Sequence, residues 1–173
     1  MRLLALIALA TLSVTSLAAA ATFTATATLT GSTGFGLSLP ANATLSTTLD
    51  GSDQIVTYAP LLGIVDGRGS GSGWNLSIAS TTFSDGTGHT LAPGEIASVA
   101  QSCHNGGACT TAVTQGITYP VPIGSTATKF FNAAPGTGLG NLDVQPSFDV
   151  IVPGNAYSGS YAATLTLAIA SGP

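Results

Sequence analysis

The sequence predicts an all-β protein: a single antiparallel β-sandwich of the immunoglobulin-like, Greek-key type. Three observations lead there. Short apolar and polar alternations recur along the chain, clusters of Gly, Pro, Asn and Asp separate them, and no run of about ten residues keeps a 3.6-residue period. With 22 Gly and 9 Pro spread through 173 residues, a long helix would be interrupted wherever it began.

Residues 22–30 alternate Thr with Phe23, Ala25, Ala27 and Leu29, the pattern of a half-buried strand. A Gly-rich stretch over 31–36 ends it. Leu37, Leu39, Leu45 and Leu49 mark further short extended segments bounded by Pro40 and Asp50-Gly51. Strands are then expected over 55–58 and 61–65. After the glycines of 67–73, Trp74, Leu76 and Ile78 alternate with Asn75, Ser77 and Ala79. Similar runs follow over 96–99, 113–119, 129–131, 144–152 and 157–169, and 133–141 reads as the loosest loop. The last run places Tyr161, Ala163, Leu165, Leu167 and Ile169 on one side and is expected to pair inside the sheet.

The first residues read as a secretory signal over 1–20. Arg2 precedes an apolar run over 3–10 and a small-residue cleavage site at Ala18-Ala19-Ala20. The apolar run falls short of the roughly 20 residues a membrane span needs, and no later stretch replaces it. Cleavage would leave a mature chain of about 150 residues, 21–173, enough for one core. No Cys flanks the cleavage site to carry a lipid, and no C-terminal sorting tail is visible, so attachment to a surface is expected to be non-covalent.

Charge removes several functions. Without Arg2, the fixed cations are Arg68 and Lys129, against seven acids. Nucleic acid and anionic lipid both demand clustered Lys and Arg, so neither is a partner. The acids are dispersed and mostly turn-like, whereas glycoside hydrolysis needs two carboxylates held about 5 to 9.5 Å apart. No nucleophile elbow lies between a strand and a helix. The chain is therefore not expected to be an enzyme, and nothing in it asks for a cofactor. Cys103 and Cys109, in an exported chain, are expected to form a local disulfide; His104 lies between them, but a closed zinc site would want a fourth ligand.

The segment Asp66-Gly-Arg68-Gly-Ser-Gly-Ser-Gly-Trp74-Asn-Leu76 holds one of the two mature cations, an adjacent acid and the only Trp. It leads into a strand and lacks a Lys-Ser/Thr ending, so it is no phosphate cradle. The pattern Asp66-x-Arg68-Gly69-x-Gly71-x-Gly73-Trp74-x-Leu76 resembles the first signature of the WxL family of bacterial surface proteins. The closing Tyr161-Ala-Ala-Thr164-Leu165-Thr166-Leu167-Ala-Ile169, followed by Pro173, resembles the second, with Leu167 and Ile169 where the family places Trp and Leu. The resemblance implies a secreted, wall-associated β-sandwich that binds peptidoglycan or another wall polymer non-covalently, often beside other exported surface proteins. Candidate ligand contacts are Asp66, Arg68, Trp74, Leu76 and Tyr161. Each has a structural alternative: Trp74 and Leu76 as packing anchors, Asp66 and Arg68 as an ion pair that fixes the loop, and Tyr161 as an edge or core residue. The functional alternative is a structural subunit of a fibre, coat or surface layer assembled by strand pairing.

Overall fold

The computed structural model describes residues 26–41 and 45–173. The expected signal and its cleavage site lie outside the described residues. The chain is all-β, and every strand pairing is antiparallel.

Eleven strands follow one another: β1 (Phe35–Ser38), β2 (Gln54–Tyr58), β3 (Leu62–Asp66), β4 (Trp74–Ser80), β5 (Phe83–Ser84), β6 (Thr90–Leu91), β7 (Glu95–Cys103), β8 (Val121–Pro122), β9 (Thr128–Ala133), β10 (Gly140–Val152) and β11 (Leu165–Ser171). The larger sheet runs β1-β3-β10-β7-β8, with β2 also paired to β10. The smaller runs β11-β4-β9, and β5 and β6 form a separate two-stranded hairpin. Both larger sheets turn apolar faces into one core: Leu62, Ile64, Ile96, Leu142, Val144 and Phe148 from the first, and Trp74, Leu76, Ile78 and Phe131 from the second.

The period of two explains β4 directly. Its alternate residues, Trp74, Leu76, Ile78 and Ser80, are buried, and the residues between them are half-buried. It is the central strand of its sheet, so both edges are paired. The 13-residue β10 is the spine of the other sheet. It pairs with β7 along one side, while on the other its first residues meet β3 and its last meet β2. Pro146, with no N–H to donate, falls where β3 has ended and β2 has not begun.

Three expected strands are corrected. Residues 26–30 of the run expected over 22–30 are not a strand and are exposed; Leu29 is 95% exposed. Among them only Leu29 is a large apolar residue, so alternating Ala and Thr offers too little area to hold the segment on a sheet. Residues 113–119 do not form a strand either. Side-chain amides replace the ladder there: Gln101 pairs with both the N–H and the C=O of Ala112, and Asn132 does the same for Gln115, all at 2.8–2.9 Å. Finally, the last run forms a strand only from Leu165, and β11 pairs with β4 alone among the described residues. It is an edge, not an interior strand. Leu167 and Ile169 still pack on the core.

Cys103 and Cys109 are joined in a disulfide, with Cα atoms 5.5 Å apart. It ties the end of β7 to a residue that bridges Gly140 at the start of β10. Beside it His104 Nδ1 lies 2.8 Å from Asp143 Oδ1, which occupies the imidazole with a carboxylate. Closing so short a loop restricts the unfolded chain modestly, so Cys103→Ser with Cys109→Ser is expected to lower unfolding free energy by about 2 kcal/mol. Urea titration of the two proteins measures this.

Candidate functional site

The Gly-rich connection 67–73 joins β3 to β4 and is held from every side. Ser32 N–H donates to Gly67 C=O, and Gly67 N–H to Gly34 C=O, both at 2.8 Å. Gly136 N–H donates to Gly71 C=O at 2.8 Å, and Gly172 N–H to Gly73 C=O at 3.1 Å. Gly73 has φ +72°, and a Cβ there would run into the carbonyl of Ala133. Only glycine permits this approach.

Arg68 lies at the centre of the arrangement. Its Nε and Nη2 meet Asp66 Oδ1 and Oδ2 at 2.8 Å each, a fork-to-fork pair. Nη2 also donates to Gly73 C=O at 3.1 Å, and Nη1 to Ser171 Oγ at 2.6 Å. The guanidinium carbon sits 3.7 Å from the centroid of Phe35. A guanidinium has five N–H donors, and only one, on Nη1, is left over. The Asp66 side chain is 0% exposed and that of Arg68 18%. The hydrogen bond from Arg68 holds the Asp66 carboxyl below its ordinary range, against the opposing effect of burial.

Trp74 and Leu76 are each 0% exposed. The indole N–H of Trp74 donates to Gly138 C=O at 2.9 Å, and its ring centroid is 5.8 Å from that of Phe131. Gly138 has φ +71°, and a Cβ on it would come within 2.6 Å of the indole nitrogen. In this conformation neither residue offers surface to a ligand. The Asp66–Arg68–Trp74 signature closes the loop, the C-terminal end of β11 and the 133–140 connection around one tryptophan.

Tyr161 is not part of this arrangement. It lies beyond the Ser80 end of β4, where Ala162 bridges Ser84. The seven residues of β4 separate it from the Trp74 end by about 20 Å. Its hydroxyl donates to Tyr157 C=O at 2.9 Å, and partial burial together with the Asp85 carboxylate pushes its phenol up. The five candidate residues thus divide between the two ends of the smaller sheet.

Sequence reasoning missed the partners that complete each end. Phe35, Gly138 and Ser171 had no local signal. At the Tyr161 end, Asp85 accepts from Thr87 Oγ1 (2.6 Å), Thr87 N–H (2.8 Å) and His89 N–H (3.1 Å), and its Oδ2 lies 2.6 Å from His89 Nδ1. The Thr87 hydroxyl, with help from the backbone and His89, holds this carboxyl far below its ordinary range. The Asp85-Gly-Thr-Gly-His89 spacing is the one signal that could have exposed this cluster.

No curated protein and no solved structure matches the chain. Among the described residues no helix is long and apolar enough to cross a membrane. The model of the WxL domain, described as surface cell wall-binding, matches residues 15–173, which includes the Gly-rich loop, the Trp74 strand and β11. The chain belongs to the WxL family of surface, cell wall-binding domains.

Proposed function

We propose that the chain is a non-catalytic anchor whose mature domain, residues 21–173, attaches non-covalently to peptidoglycan. The observation that carries this choice of wall polymer is the fate of its cations. The family binds cell wall, and walls offer anionic polymers as well as an uncharged glycan. Arg68 is consumed by Asp66, Gly73 and Ser171, so among the described residues Lys129 is the one fixed cation left to the surface. A single cation cannot neutralise a polyanion. Hydroxyls, amides and aromatic faces remain, and they suit a glycan with its hydroxyl and acetamido groups.

Co-sedimentation with purified sacculi tests the proposal. Binding should be saturable and should change less than about twofold between 50 and 500 mM salt, because little of it is ionic. A steep fall with salt would point to an anionic polymer, and no binding by the folded protein would overturn attachment. Pelleting without sacculi at rising concentration would favour assembly by strand pairing. One feature supports that second reading: β11 is an edge strand with Leu165 exposed and no Lys or Pro along its length to guard it.

A further inference from the structure

At the Ser80 end of the smaller sheet, the β5–β6 hairpin and the loop over 153–161 enclose an open cleft of about 220 Å³. His89, Leu91, Pro153, Asn155, Tyr157 and Tyr161 line it. Tyr157 is 64% exposed, and among the described residues it is the only aromatic that stands largely in solvent. The imidazole of His89 stacks on its ring with centroids 3.9 Å apart and planes 18° apart. With one face covered at that distance, the exposure of the residue is left to the other face and the edge of the ring.

Both halves of this platform are held in place. Asp85 fixes His89 through Nδ1 at 2.6 Å, and the carboxylate itself is fixed by two bonds from Thr87. An ionised carboxylate only accepts, so Nδ1 of His89 is the donor in this contact. The Tyr161 hydroxyl holds the backbone of Tyr157 at 2.9 Å. Ordering exposed side chains costs conformational entropy, and at 64% exposure burial of Tyr157 returns little of it. A rigid aromatic surface left in water gains most when a ligand covers it.

Resting on the peptidoglycan reading, we infer that the cleft of His89, Tyr157 and Tyr161 is a saccharide subsite that takes one pyranose ring. The C–H face of a sugar carries slight positive charge and seats on the negative face of the tyrosine ring. His89 backs the covered face and holds the tyrosine ring in place, and the side-chain amide of Asn155 is suited to an acetamido group. Leu91 and Pro153 supply an apolar wall for its methyl. The cleft holds no fixed cation, which fits an uncharged ring and disfavours a phosphate or a carboxylate.

The test uses the full mature protein with two probes, purified sacculi and a tetramer of N-acetylglucosamine, and compares wild type with Tyr157→Ala, Tyr157→Phe and His89→Ala. Tyr157→Ala should weaken both interactions roughly tenfold with an unchanged melting temperature, while Tyr157→Phe should stay within about twofold of wild type. His89→Ala should weaken both as well. If wild type binds sacculi and Tyr157→Ala binds equally well, the subsite is overturned while the attachment reading stands. If wild type does not bind sacculi, the attachment reading falls and the tetramer decides the cleft: tetramer binding lost in Tyr157→Ala supports it, and no tetramer binding overturns it. A lowered melting temperature with the tetramer affinity of the folded fraction intact would assign the stack to holding the loop and would likewise overturn the subsite.

Discussion

Trp74→Ala is expected to lower unfolding free energy by about 3–5 kcal/mol, the range for emptying a large, fully buried aromatic site. Trp74 has no exposed surface and contacts both the β9 side, through Phe131, and the 133–140 connection, through Gly138. The cavity would lie under the point where the Gly-rich loop, the 133–140 connection and the C-terminal end of β11 meet. Trp74→Phe keeps much of the ring but leaves the Gly138 carbonyl without its donor, so its cost should be smaller, about 1–3 kcal/mol. Denaturant titration followed by far-ultraviolet circular dichroism measures both, since the chain has a single Trp and its fluorescence goes with it. Against a typical total of about 5–15 kcal/mol, the alanine variant would be marginal. Equal costs for the two variants would mean that the indole N–H bond, not the packing, carries the effect.

Arg68→Ala should cost about 3 kcal/mol at neutral pH, the lower end of the range for leaving a buried charge without its partner. The Asp66 side chain has no contact with solvent, and Arg68 supplies both of its side-chain partners. The pH dependence separates this from simple loss of packing. Folding lowers the Asp66 pKa below its ordinary value of 3.8, so in wild type its contribution is complete above that value. That contribution fades as the pH falls through the folded value. In Arg68→Ala the side-chain partner is gone and burial outweighs the remaining bond from the backbone N–H of residue 68, so the carboxyl pKa rises; protonation then relieves the buried charge. The gap between the two proteins should therefore begin to narrow above about pH 4, as the raised carboxyl of the variant protonates, and narrow further below it as the wild-type contribution fades. A gap that stays constant from pH 7 to pH 3 would show that the lost contacts to Phe35, Gly73 and Ser171 matter more than the charge. Any loss of sacculus binding by this variant must be normalised to its folded fraction.

These two expectations change the meaning of the Gly-rich signature. Its charged pair and tryptophan read equally well, from sequence, as ligand contacts or as structural parts. In the fold their polar groups are taken up by the chain itself: four guanidinium N–H groups, the carboxylate oxygens and the indole N–H all have partners. These bonds leave little of the signature to solvent, whereas Tyr157 at the opposite end of β4 is 64% exposed and stacked on His89.

Local pattern alone determined the all-β class, β3, β4, β7, β9 and β10 to within a few residues, the Cys103–Cys109 pair and the family signature. A period of two and a six-residue cysteine spacing are properties of neighbouring residues. Local pattern could not separate the alternation over 26–30, which is left in solvent, from that of 74–79, because the difference is the apolar area each can bury against a partner sheet. Nor could it foresee that Gln101 and Asn132 replace a ladder over 112–115, or that β11 ends as an edge. The Nη1 bond of Arg68 depended on Ser171, 103 residues away, and the burial of the Trp74 N–H on Gly138, 64 residues away. Hydrogen-bond partners at such separations are chosen by how the sheets pack, so only the tertiary structure decided them.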